Sequence, residues 1–404
     1  MSACASRSPA QPALQRAIIG MKIREIRIHS IQIPFTHRIA HGKASRSFCD
    51  SFIVEVASDS GKGYGEALVR EYVSGALGGT TSGTDRLAVA AGIVQKLASP
   101  LALEDISWPL MRSYLETAAI EVNELPILCG LEGALLDCAC REAGTDIFGL
   151  LEMRPRVTEI VYGGTLPIVP KEAMSMFIGL FRSFGVPNLR VKLGQDPSYA
   201  DSTLRTAREA FGDGFDLRVD ANASWSYNDF LAHIPVLRKH GVNLIEEPFG
   251  RGREENLRFV GDPSAKEFQL AADESALTPD DVRAIAAAGA FRIVNIRLAK
   301  NGGILRALRM RAAAWEHGLA IQVGCHVGET GILSAAGRAT ASLMPDALYV
   351  DGSYDEHLLS GNITTENFTF GIGGRAPVIT GRRLGFEVDR AKLEEYSNDE
   401  RACL

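Results

Sequence analysis

Arg218-Val-Asp-Ala-Asn222, Leu244-Ile-Glu-Glu-Pro248 and Leu270-Ala-Ala-Asp-Glu-Ser275 decide how this 404-residue chain is read. Each is a short apolar run that stops at a carboxylate. Asp220, Glu246 and Asp273 follow one another at intervals of 26 and 27 residues. Such an interval holds one strand, one helix and two loops, the repeat of a β/α barrel. Neighbouring parallel strands of a barrel bring their C-terminal ends to one face, so the three carboxylates are expected to converge. Convergent anions repel unless a cation sits among them, and an all-oxygen set suits a hard cation such as Mg²⁺, with Mn²⁺ as the alternative.

The alternation continues on both sides. Strands are expected at 158–162, 188–192, 216–220, 242–246, 268–272, 292–297, 319–323 and 346–350. Helices fit at 171–184, 200–211, 226–240, 254–261, 278–288, 303–317 and 329–343. Right-handed crossovers would close eight parallel strands into a (β/α)8 barrel over 151–355. Before it, 21–150 reads as an α+β capping domain. Met21 to Pro34 and Phe52 to Val56 are its first strands, Gly61-Lys-Gly63 a turn, and Thr84 to Gly144 is helical. Thr36 to Cys49 reads as a cationic loop carrying Arg38, His41 and Arg46. Gly75 to Gly83 lacks the Gly-Lys-Ser/Thr ending of a phosphate loop.

Composition narrows the function classes. A net charge of −6 and no long basic run give no footprint for nucleic acid. No apolar run reaches the ~18 residues of a membrane span. Residues 1–20 lack the apolar core of a secretory signal and read as a disordered tail. Arg7 and Arg16 without an acid leave a transit-type peptide as the alternative. Seven cysteines without zinc-like pair spacing, two of them (Cys138 and Cys140) in an Ala/Leu-rich helix, fit a reducing cytoplasm.

Together with Val191-Lys192 one strand earlier and Arg297 to Gly303 one strand later, the three acidic segments resemble the enolase superfamily, in particular its muconate-lactonizing subgroup. Gly63-Tyr-Gly-Glu-Ala67, Leu131 to Gly144 and Leu384 to Asp389 extend the resemblance over roughly residues 21–390. It implies Asp220, Glu246 and Asp273 as metal ligands and a capping domain completed by 356–404. It also implies a small-molecule carboxylate substrate; a homo-oligomer is expected. Lys192 matches the second lysine of the family's Lys-x-Lys base pattern, with Arg190 in place of the first. Burial and nearby cations make such a lysine a usable base.

Departures from the family pattern shape the expected chemistry. Arg297 stands where muconate-lactonizing relatives have a lysine, and arginine cannot exchange protons at neutral pH. It is suited to grip a carboxylate or an anionic intermediate, with Lys300 as a substitute proton carrier. His326 resembles the catalytic histidine of the mandelate racemase subgroup. Glu329 would orient it, and Asn222 would support the metal ligands, as would Glu247 and Glu274. Asp351 is half of the aspartate pair that holds a substrate ammonium in dipeptide epimerases, which disfavours a dipeptide. The reading is an enzyme that forms an enediolate from a hydroxy or amino carboxylic acid. With His326 as general acid the expected outcome is dehydration by a lyase. Racemisation or epimerisation and cycloisomerisation are the alternatives, and a non-catalytic scaffold is the alternative of another class.

Overall fold

The computed structural model describes residues 20–41, 44–78, 83–101, 105–252 and 254–404. The expected tail at 1–19 and the side chains of Arg38 and His41 lie outside the described residues. Strands β1 (Ile23–His41), β2 (Ala44–Ser58) and β3 (Gly61–Ala67) form an antiparallel meander. The C-terminal strand, Ser397–Ala402, pairs with β1 on its other edge. Ile26 and Ile28 lie on one face of β1 and Ile31 and Ile33 on the other, and all four are buried. Thr36 to Cys49 is not an irregular loop. Most of it belongs to the long arms of a β1–β2 hairpin, with Ile39 opposite Arg46 and His41 opposite Ala44.

Eight parallel strands follow: β4 (Gly164–Leu166), β5 (Asn188–Lys192), β6 (Asp216–Asp220), β7 (Leu244–Glu246), β8 (Gln269–Ala272), β9 (Phe291–Ile296), β10 (Ala320–Val323) and β11 (Ala347–Val350). They pair in sequence order, and the Gly163 N–H donates to the Val350 carbonyl at 2.8 Å where the two ends meet. The expected first barrel strand is displaced. Glu159–Val161 instead pairs antiparallel with Arg375–Pro377, and Gly164–Leu166 takes its place. Both stretches are short and apolar, so periodicity alone does not separate them.

Local signals set the helix ends. Ser226 with Asp229 and Thr278 with Asp281 form capping boxes, each satisfying two otherwise unpaired donors. Outside β7, Phe230, Phe249, Phe259 and Phe268 pack ring against ring, with Phe230 5.5–5.9 Å from the others. Phe230 is fully buried, and its truncation to alanine would cost about 3–5 kcal/mol.

Two buried carboxylates join cap to barrel. Glu66 of β3 accepts the Thr330 and Leu333 N–H groups and the Thr330 hydroxyl, at the start of helix Gly331–Ser342. Glu132, in helix Leu125–Glu142, accepts the Ile304 and Leu305 N–H groups at the start of Ile304–Glu316. Each carboxyl group meets the otherwise unpaired N–H donors at the start of a helix. The cap thereby fixes the two helices that follow β9 and β10, whose strand ends face the cleft.

Candidate active site

Register aligns the acidic ends. Lys192 lies opposite Asp220, and Asp220 opposite Glu246. Asp273 follows β8 directly, Arg297 follows β9, and Asp351 follows β11. Just beyond these ends the backbone turns sharply. Asn222, Ala223 and Glu247 have left-handed φ values of 48°, 53° and 37°. That conformation is costly for non-glycine residues and holds only where the surroundings enforce it. Here the Ala223 N–H donates to the Glu247 carbonyl and the Glu247 N–H to the Ala271 carbonyl.

Each carboxylate is held by cations, and Arg297 serves two of them. The Lys192 ammonium donates to Asp220 Oδ2 at 2.7 Å and to Asn222 Oδ1 at 2.8 Å. Glu246 accepts from Arg190 at 2.7 Å, Gln322 at 2.7 Å, Asn295 at 2.9 Å and Arg297 at 3.0 Å. Burial would raise its pKa, but Arg190 and Arg297 hold it far below the usual carboxylate range. Asp273 meets Arg297 Nη2 at 2.5 Å and Lys300 at 3.0 Å. Among the described residues no three acidic, imidazole or thiol groups are gathered closely enough to share a metal ion. The donor chemistry nevertheless fits a hard divalent cation. The carboxylates of Asp220, Glu246 and Asp273 are all buried, and Asp273 Oδ2 accepts no hydrogen bond of good geometry.

Other expected residues take specific places. Lys300 is fully buried and donates to the Asp273 carbonyl, Asp273 Oδ1 and the Asn295 carbonyl, so it braces Asp273 and does not reach the cleft. All three of its donors are committed in this arrangement. Glu247 accepts from the Asp273 and Ser275 N–H groups and the Ser275 hydroxyl, which fixes the turn carrying Asp273. Glu274 receives Asn222 Nδ2 at 3.3 Å. Arg297 borders the cleft but turns its guanidinium onto Glu246 and Asp273. Arg46 is committed to Asp50 at 2.7 Å.

His326 borders the cleft beside Glu329, whose Oε1 accepts the His326 N–H at 2.7 Å. Burial, with Arg297 and Arg70 nearby, drives the imidazole pKa well below the usual histidine range. Its neutral form prevails at neutral pH, which does not suit the resting role of general acid. Burial also pushes the Glu329 carboxyl up to about 8.

Several contributors went unassigned in the sequence. Arg218 donates to both oxygens of Asp351 at 2.6 and 2.7 Å, stacked over Tyr349 at 4.0 Å. Asn295 and Gln322 grip Glu246. The signal was present: each is a polar residue inside an apolar strand, two positions before or after an inward-facing one. The cleft encloses about 1190 Å³, open mouth included, between the β5, β9 and β10 ends, helix Lys171–Phe184 and the start of β1–β2.

Comparisons with known proteins agree with this architecture. The family described as enolase C-terminal domain-like matches residues 180–392. A hydrophobic dipeptide epimerase of Roseobacter litoralis is 33% identical over 57% of this chain and 64% of its own length, slightly under two thirds of that relative. An N-acetyl-D-glutamate racemase of a Pseudoalteromonas species is 34% identical over 68% of this chain and 84% of its own. A dipeptide epimerase from Cytophaga hutchinsonii, solved with Mg and the dipeptide D-Ala-L-Val, shares the fold with a TM-score of 0.77 and 20% identity, covering 95% of this chain and all of that one. These relatives are enzymes, and they favour the racemase and epimerase alternative over the dehydratase expectation. The chain belongs to the enolase superfamily, in the family described as enolase C-terminal domain-like.

Proposed function

We propose that this protein moves a proton at the carbon α to a substrate carboxylate, giving racemisation or epimerisation. The observation that carries the reading is the position of Lys192. It borders the cleft at the end of β5, in register with Asp220, with its ammonium oriented by Asp220 and Asn222. The relatives' racemase and epimerase activities support the outcome.

Asp220, Glu246 and Asp273 would hold a divalent cation, Mg²⁺ or Mn²⁺. When bound, it supplies the positive charge that makes an α-proton removable. The chain's own residues handle the proton. His326 follows β10, three strands around the barrel from β5, and its neutral imidazole can accept a proton on one side of the cleft. Lys192 returns one from the other side, and the reverse reaction exchanges the roles. Arg190 and Arg218 fix Glu246 and Asp351 and take no proton. A cytoplasmic location and a homo-oligomer complete the reading. The location rests on cysteines that are buried along the cap helix and unpaired, the form a reducing compartment maintains.

The test is exchange of the α-proton in D₂O, followed by NMR on N-acyl amino acids and dipeptides with Mg²⁺ present. In Lys192→Ala the exchange of one enantiomer, the one whose α-proton faces Lys192, is expected to disappear. Its exchange at full rate in that variant would overturn the assignment.

A further inference from the structure

One arm of the cleft has no part in proton transfer. Phe177, Phe181 and Phe184 of helix Lys171–Phe184 recur at helical spacing and line it, with Leu180 at its rim. Tyr354 and Leu358 face them from beyond β11. Phe184 stacks on His357 at 4.2 Å, which stiffens this wall. Arg190 and Lys192 of β5 and Arg297 just after β9 border the same cleft. Its lining thus joins cations from the strands to aromatic rings from the helix.

Acceptors for a substrate ammonium are scarce. Among the described residues lining the cleft Glu329 is the only acidic one, and its carboxylate accepts the His326 N–H. Asp351 is committed elsewhere: Arg218 holds both of its oxygens, Arg190 lies 3.4 Å away, and the residue does not line the cleft. An ammonium here would find no uncommitted carboxylate among the described lining residues, and shedding its water without a partner is unfavourable. A bulky apolar group would instead replace water against the phenylalanines at about 25 cal/mol per Å².

We infer that the substrate is a carboxylate whose nitrogen is acylated and uncharged, and which carries a bulky apolar group, on the α-carbon or in the acyl chain, that fills this arm. The inference rests on the proton-transfer reading and narrows its substrate.

N-propionyl-L-phenylalanine and L-alanyl-L-phenylalanine differ only by an ammonium, so they isolate the first half of the inference. N-propionyl-L-glutamate tests a charged side chain, and N-succinyl-L-phenylalanine a charged acyl group. N-benzoyl-L-alanine moves the apolar group onto the acyl side. The readout is kcat/KM for α-deuterium incorporation with Mg²⁺. The propionyl-phenylalanine or the benzoyl-alanine should exceed each charged counterpart by about 100-fold, and whichever leads shows which substituent occupies the arm. Leu180 is 39% exposed, so Leu180→Arg should fold normally. That variant should lower use of the leading apolar compound and raise use of N-propionyl-L-glutamate. Preference for the dipeptide, or equal use of glutamate and phenylalanine derivatives, overturns the inference while leaving proton transfer intact. If nothing exchanges, the proton-transfer reading fails. Calorimetry then decides the arm alone: the apolar compounds must still bind more tightly than the charged ones, and equal affinity overturns it.

Discussion

Arg297 Nη2 stands 2.5 Å from Asp273 Oδ2, and the same nitrogen reaches Glu246 Oε1 at 3.0 Å. One fixed cation thus bridges two of the three carboxylates assigned to a metal. A divalent ion and this guanidinium compete for the same oxygens, so the arginine must turn away as the ion enters. Arg297→Ala should therefore tighten Mg²⁺ binding by about tenfold, ~1.4 kcal/mol, whereas Asp220→Asn should weaken it. Titration calorimetry reads both. Equal affinities in wild type and Arg297→Ala would show that the guanidinium does not obstruct the site.

Lys192 and His326 divide the proton between two sides of the cleft, so each variant should lose one direction. Lys192→Ala should stop exchange of one enantiomer and His326→Asn that of the other, each by about 10²–10⁴-fold. Both should lose net racemisation. The low imidazole pKa places the histidine's protonation below its ordinary range, so its inflection in the rate profile should fall on the acidic side of about 6.5. A His326→Asn enzyme that racemises at wild-type rate would make the histidine structural.

The barrel could be read in advance because its repeat is written in carboxylates that end apolar runs, a pattern that survives without any side-chain geometry. Helix 254–261, read from its helical periodicity, matches Glu254–Gly261. What failed to show was pairing between distant segments. Glu159–Val161 looked like a barrel strand until Arg375–Pro377, more than 200 residues later, claimed it. The Thr36 to Cys49 stretch is largely polar in composition, so nothing in it revealed the pairing of Ile39 to His41 with Ala44 to Arg46. Among site residues, acids at strand ends were legible by spacing. The commitment of Arg218 to Asp351 joins β6 to β11, and only closure of the barrel creates it.

Burial pushes the Glu132 carboxyl up to about 8, even though two helix N–H groups favour its anion. A carboxyl whose folded pKa lies above its unfolded value of ~4.3 binds more protons when folded. Its contribution to stability is complete below the unfolded value and is lost as pH rises through about 8. Glu66, pushed to about 7, acts in the same direction. Glu132→Gln removes one titrating group while keeping an oxygen acceptor. Urea unfolding from pH 5 to pH 8.5 should therefore show a shallower fall in stability, by at most about 1.4 kcal/mol per pH unit. An unchanged slope would mean that Glu132 stays ionised in the fold.

Gly65 is where the cap sheet touches its helix most closely. A Cβ there would lie 2.0 Å from the Gly130 carbonyl oxygen and 2.6 Å from the Ala134 nitrogen. These are backbone atoms and cannot step aside as a side-chain tip would. β3 and helix Leu125–Glu142 would have to separate, disturbing Glu66 and Glu132, which clamp the barrel helices. Gly65→Ala should destabilise the protein by about 1–3 kcal/mol or more. The comparison is Gly92, inside helix Gly83–Ala98, where an added Cβ meets nothing within 4 Å. Gly92→Ala should stabilise by about 0.5–1 kcal/mol, since only backbone freedom changes. Thermal unfolding of the two variants reads the difference, and α-proton exchange reads its reach. If the cap positions the strand ends, Gly65→Ala should also slow exchange at temperatures where it remains folded. Shifts of the same sign and size in both variants would sink the packing account, because they would reflect the loss of a glycine and nothing about where it sits.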